Sequence, residues 1–101
     1  MSHVKSKKFD SVWFAIEASE ADAVNMTMRS DLMTSIEKTV GDWKLSQGEA
    51  AKRLGITRPR LNDLMRGKIS KFSLDALTTL ATRAGLTVKL SVKRSSMKSA
   101  A

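Results

Sequence analysis

Nine of the polar side chains between residues 47 and 71 have types and places suited to nucleic acid: Gln47, Thr57, Arg58, Arg60, Asn62, Asp63, Arg66, Lys68 and Lys71. Their types match what the edges and backbone of a DNA duplex offer. A guanidinium donates two parallel hydrogen bonds to guanine O6 and N7, and the Asn amide pairs in the same way with adenine N6 and N7. A carboxylate accepts from the cytosine amino group. Thr57, Arg58, Arg60, Asn62 and Asp63 are therefore candidates for reading bases. Arg66, Lys68 and Lys71 follow directly and are candidates for phosphates. Gln47 stands where a helix begins, so its amide and the free N–H groups of that helix end can grip a phosphate together. Any one of these cations, taken alone, fits a solvated surface charge equally well. Their concentration in one short stretch favours a shared face.

Those residues need a rigid support, and the apolar pattern around them supplies one. Ala51 is the small residue at which two helices can approach, and it lies four residues before Gly55. Gly55 can take the left-handed conformation of a sharp turn. Leu54 and Ile56 plug its two sides, and Leu61 with Leu64 or Met65 forms the inner face of the second helix. These positions, in register, are those of a helix-turn-helix over residues 46–66. A plain αα-hairpin in a helical bundle satisfies the apolar part of the pattern too. The polar set on the outer face of the second helix is what favours DNA.

Helix ends are marked throughout. Ser46 and Glu49 make a Ser-x-x-Glu capping box, in which each side chain satisfies the other residue's backbone N–H. Thr57 caps Arg58–Arg66, with Pro59 in the first turn, where a missing N–H is harmless. Gly67 ends that helix. Ser73 caps a last helix whose inner positions are Leu74, Leu77, Leu80, Ala81 and Ala84, and Gly85 closes it. Towards the N-terminus, Asp10 can cap a short helix bearing Val12, Trp13 and Ile16. Ser19 opens another, which breaks or bends before Ser30. From there Leu32, Ile36, Val40 and Trp43 recur at helical spacing. Gly41 lies inside that stretch. The period changes at the C-terminal end: Val88, Leu90 and Val92 alternate with Lys89, Ser91 and Lys93, which predicts a half-buried strand near Thr87–Lys93.

The expected architecture is thus all-α, a compact helical helix-turn-helix domain with a short C-terminal β-strand. Its 101 residues suit one domain. Residues 1–8 are read as a disordered basic tail, residues 9–93 as the single domain, and residues 94–101 as a flexible tail. A lone strand leaves its backbone groups unpaired, so a symmetric copy supplying the missing edge predicts a homodimer.

Charge sharpens the functional reading. The net charge is +8, divided as +3 over residues 1–8, −5 over residues 9–42 and +10 over residues 43–101. A C-terminal part so poor in acids attracts polyanions, nucleic acid first. The acidic segment Asp10–Asp42 would suit a basic protein partner. Catalysis finds little support. His3 is the only histidine, cysteine is absent, and no phosphate-binding loop or dinucleotide fingerprint occurs. No cofactor, metal site or enzymatic activity is expected. The cysteine count fits a cytoplasmic location. No apolar run is long enough to span a bilayer, and residues 1–8 lack the apolar stretch of a secretory signal. RNA binding ranks lower, because single strands favour aromatic platforms and Trp13 and Trp43 suit core or interface positions better.

The stretch Leu45–Leu90 resembles the XRE family (the Cro and phage-repressor type, with a fold like that of lambda repressor), and in particular its HigA-type antitoxin-like branch. The resemblance is carried by Ser46–Gln47, Ala50–Ala51, Leu54–Gly55, Arg58–Pro59–Arg60, Leu64–Met65–Arg66–Gly67–Lys68 and Phe72–Ser73–Leu74. It reaches back to Ser11–Val12–Trp13 and Leu32–Met33, so it covers about residues 9–93. It implies a five-helix DNA-binding fold, a symmetric dimer on a palindromic operator, and autoregulation of a toxin–antitoxin operon with a cognate basic toxin as partner. Many relatives have Gln before the proline where this chain has Arg58, so base preference at that position does not carry over. A protein-interaction module that neutralises a toxin, with DNA binding secondary, is the alternative from another functional class.

Overall fold

A computed structural model of the chain describes the backbone of residues 8–94 and the side chains from residue 20 onward. The expected tails fall outside the described residues, apart from Lys8 and Arg94. Among the described residues four α-helices follow in order: α1 (Lys8–Trp43), α2 (Gln47–Leu54), α3 (Arg58–Met65) and α4 (Leu74–Arg83), with a 3-10 turn, Ile69–Lys71, between α3 and α4.

The N-terminal region is one helix of 36 residues, and the expected break between Ser19 and Ser30 does not occur. Nothing in the sequence stops it: no glycine or proline stands between Lys8 and Val40. A serine caps a helix only where the preceding chain has left helical geometry, and here it has not. Polar β-branched residues inside α1 satisfy their hydroxyls on the preceding turn, Thr27 donating to the Ala23 carbonyl at 3.0 Å and Thr39 to that of Ser35 at 2.9 Å. At 1.5 Å per residue such a helix is about 54 Å long, which accounts for the 53 Å long axis of the described chain.

Only the second half of α1 enters the core. Met33, Ile36 and Val40 lie on one stripe and pack with Ala50, Ala51 and Leu54 of α2, Leu61 and Leu64 of α3, Phe72, and Leu77, Leu80 and Ala81 of α4. The choice left open between Leu64 and Met65 falls to Leu64, which is fully buried while Met65 is exposed. Trp43 packs on the rim of this core, with the Arg53 guanidinium over its ring at 4.1 Å.

Gly41 lies in the last turns of α1, is exposed, and has nothing within 4 Å of where a Cβ would stand. Its helical conformation suits alanine. Gly41→Ala should therefore stabilise the protein by about 0.5–1 kcal/mol. A melting temperature a few degrees above wild type is the expected reading, and one below it would show that the glycine has a task the helix does not reveal.

The expected C-terminal strand is absent. Among the described residues there is no strand, and the chain beyond Leu86 runs without regular structure. Leu90 and Val92, assigned to its buried face, are 76% and 82% exposed. Alternation at period two shows only that one side of a segment is apolar. A strand also requires a second extended backbone to receive its hydrogen bonds, and every neighbouring element here is a helix whose backbone groups are already paired. The dimer argument that started from this strand loses that support.

Candidate nucleic-acid interface

The helix-turn-helix is built by local bonds. Ser46 caps α2: its Oγ accepts from the Glu49 N–H at 3.2 Å, and its own N–H donates back to Glu49 Oε1 at 3.4 Å. At the other end Gly55 takes φ +72°, and the chain turns in the space of Gly55, Ile56 and Thr57. The Ile56 N–H donates to the Ala51 carbonyl at 2.9 Å, which closes the end of α2. Thr57 then caps α3, its Oγ1 accepting from the Arg60 N–H at 3.3 Å.

With Leu61 and Leu64 facing inward, the remaining positions of α3 divide into two groups. Arg58, Asn62 and Arg66 stand four residues apart, which places them in one row along the outer surface, and all three are exposed. Thr57, the cap just before the helix, is exposed as well. Arg58 also lies beside the start of α2: a Cβ built on Gly48 would be 3.8 Å from Arg58 Nε, an ordinary contact. The guanidinium of Arg58 and the exposed amide of Gln47 thus share one edge of the surface. Row and edge together offer donors and acceptors of the kinds that major-groove base edges and phosphates accept.

Arg60 and Asp63 behave differently. Both are half-buried and turn towards the segment that links α3 to α4. Arg60 Nη1 donates to the Lys71 carbonyl at 2.8 Å, and its guanidinium lies over the Phe72 ring, 4.0 Å from the centroid. The Asp63 carboxylate meets Lys68 Nζ at 3.6 Å and Lys71 Nζ at 3.7 Å. The structure therefore brings Asp63 together with two of the expected phosphate-binding lysines, and those lysines remain largely in solvent.

Two arginines that sequence reasoning left aside hold this assembly to the rest of the protein. Arg29 of α1 donates from Nη1 to the carbonyls of Ile69 at 3.0 Å and Phe72 at 3.4 Å, and its Nε is held by Asn25. Arg83 of α4 donates from Nη1 to the Leu54 carbonyl at 3.0 Å and lies against Gly55. Their partners are 29 to 43 residues away in the chain. No spacing rule reports contacts at such separations, and both residues look like ordinary helix-surface cations in the sequence. Glu37 of α1 approaches Gly67 from below, and burial pushes its carboxyl above the usual range. Among the described residues no cluster of His, Cys, Asp or Glu could hold a metal ion.

The comparisons agree with this geometry. A family model described as a helix-turn-helix domain matches residues 15–93. A solved structure described as an XRE family transcriptional regulator is similar to the chain, with a TM-score of 0.68 and 28% sequence identity. The match covers 74% of this chain and 84% of that one. No curated protein matches the chain.

Proposed function

The chain belongs to the helix-turn-helix domain family, and from that premise we propose that it is an XRE-type DNA-binding transcriptional regulator acting as a repressor at a palindromic operator. The observation that carries the reading is the exposed row Arg58, Asn62 and Arg66 along α3 and its C-terminal cap, with the exposed cap Thr57 before it and the Gly55 turn behind. In this reading Thr57, Arg58 and Asn62 approach base edges, while Gln47, Arg66, Lys68 and Lys71 contact phosphates and set the register. Regulators of this kind work by occupying DNA, so no turnover chemistry is assigned to the protein. No described helix is long and apolar enough to cross a membrane.

A dimer belongs to this reading even without the strand. Two copies of α3 related by a two-fold axis reach half-sites about one DNA turn, roughly 34–36 Å, apart. The exposed Val88, Leu90 and Val92 give a second copy apolar surface to cover. The antitoxin role, with a cognate basic toxin, draws support from α1. Between Glu20 and Thr27 that helix leaves Glu20, Asp22, Val24 and Met26 exposed, an acidic surface with apolar points beyond the core. Masking a toxin and repressing an operon would then use different ends of one molecule.

Binding of the purified protein to DNA from upstream of its own gene, against a scrambled competitor, tests the reading. Preferential binding with two protected half-sites is expected. Arg58→Ala should weaken the preferred site by about 1–3 kcal/mol and relax the choice of base at one position in each half-site. Equal affinity of wild type for cognate and scrambled DNA would overturn the reading. An Arg58→Ala protein that keeps both affinity and preference would remove Arg58 from the base-reading row.

A further inference from the structure

We propose that Arg60 and Asp63 are positioning residues, which fix the segment Arg66–Phe72 so that Lys68 and Lys71 meet the DNA backbone as a pair. The inference rests on the DNA-binding reading above and redistributes the roles within it.

By residue type both side chains are base readers, and both sit on the helix that carries the reading row. Their engagements within the protein argue otherwise. The Arg60 guanidinium stacks on a ring that is 1% exposed and donates to the Lys71 carbonyl. Leaving for a guanine edge would forfeit the stack and strip that carbonyl of its donor. Asp63 has each carboxylate oxygen near a different ammonium, and its side chain is 20% exposed against 42% and 54% for Lys68 and Lys71. A carboxylate so placed has little to offer a cytosine amino group. It has a clear use nearer home. The segment from Arg66 to Lys71 contains three cations and no acid, and neighbouring like charges push apart. A shared carboxylate beneath Lys68 and Lys71 lets the two ammonium groups converge while their outer surfaces stay free for phosphate.

The backbone of the segment is fixed to the same end. The Lys68 N–H donates to the Asp63 carbonyl at 3.0 Å, and the Lys71 N–H to that of Lys68 at 3.0 Å. Arg60 holds the Lys71 carbonyl from one side, and Arg29 holds those of Ile69 and Phe72 from the other. The seven residues Arg66–Phe72, none of them in an α-helix, are thereby set in one shape against α3. Removing Asp63 or Arg60 should leave the reading row intact and loosen the phosphate contacts.

The two roles differ in how a loss is distributed over the operator. A base reader, when removed, relaxes the choice at one base pair of each half-site. A positioning residue, when removed, lowers affinity for the cognate site by one factor, whatever single base pair is changed. The test measures wild type, Asp63→Asn and Arg60→Ala on cognate DNA and on variants with each base pair replaced in turn, together with salt dependence. For both variants an unaltered order of base preference at every position is expected, with a uniform loss of about three- to tenfold on cognate DNA and an altered salt slope. Asp63→Glu, which retains the carboxylate, should recover most of the loss. A change confined to one base pair would overturn the proposal for the residue concerned, as would full affinity with an unaltered salt slope. If either variant fails to fold, the Lys68→Gln/Lys71→Gln pair removes the same contacts from the exposed side. It must show the same uniform loss and a shallower slope; an unchanged slope overturns the pairing. A wild type that does not distinguish cognate from scrambled DNA fails at the earlier step, and both readings fall. A wild type that does, with a variant altered at one base pair, sinks only this one.

Discussion

Gly55→Val should lower the stability of the protein by about 2–3 kcal/mol, with DNA binding lost over the same range of temperature. Two effects combine. The glycine sits at φ +72°, and a β-branched residue in the left-handed region is strained by about 1–2 kcal/mol. Independently, a Cβ at this position would come within 2.6 Å of Arg83 Nη1. The guanidinium must then move, and the Leu54 carbonyl at the end of α2 loses its donor, worth about another 1 kcal/mol. For a domain whose whole stability is about 5–15 kcal/mol, this is a large fraction. Thermal melting should show a drop of roughly 10–25 °C. The two effects separate in a double-mutant cycle. Gly55→Ala should cost less in an Arg83→Ala background than in wild type, because there the arginine no longer occupies the space. Equal costs would mean that Arg83 does not press on the turn. A Gly55→Val protein that melts like wild type would show that the turn is not left-handed at all.

Phe72→Ala should be comparably damaging for a different reason. The ring is 1% exposed and lies among the largest fully buried side chains of the core. Truncating such a residue costs about 3–5 kcal/mol through lost burial and the cavity left behind. The stack with Arg60 goes as well, at about 0.5–2 kcal/mol for a partly desolvated pair. Urea unfolding should show a much lower midpoint with an unchanged slope, since the surface exposed on unfolding is nearly the same. Phe72→Leu should retain most of the stability and lose the stack. DNA binding by the leucine variant, at a temperature where it is folded, would then report on the Arg60 contact alone. A Phe72→Ala midpoint within error of wild type would mean that the ring is not the plug that joins α3, α4 and the intervening segment.

These two residues mark a boundary in what each level of organisation decides. The turn at Gly55, the capping box at Ser46 and Glu49, and the caps at Thr57 and Ser73 stand where the linear pattern places them. Each is made by groups within three or four residues of one another, so residue type and spacing suffice. The same holds for the inward positions Ala51, Leu54 and Leu61, since helical periodicity alone sets which side chains share a face.

Where the answer depends on a distant partner, the linear pattern is silent. Val88, Leu90 and Val92 alternate as a strand does, but among the described residues no other segment extends to pair with them. Ser19 has the form of a cap, but an unbroken helix offers it no free N–H. Arg60 and Asp63 have the chemistry of base readers, yet the segment Arg66–Phe72 folds back within their reach and engages them first. Arg29 and Arg83 look like surface cations until the fold brings carbonyls to them from the far end of the chain. The ends of α2 and α3, the turn between them and their inner faces were legible in the residues alone, because these are settled over one or two turns of backbone. Only packing settles which polar residues of α3 stay exposed and which are engaged within the protein, because a side chain joins whichever partner the folded chain puts nearest to it.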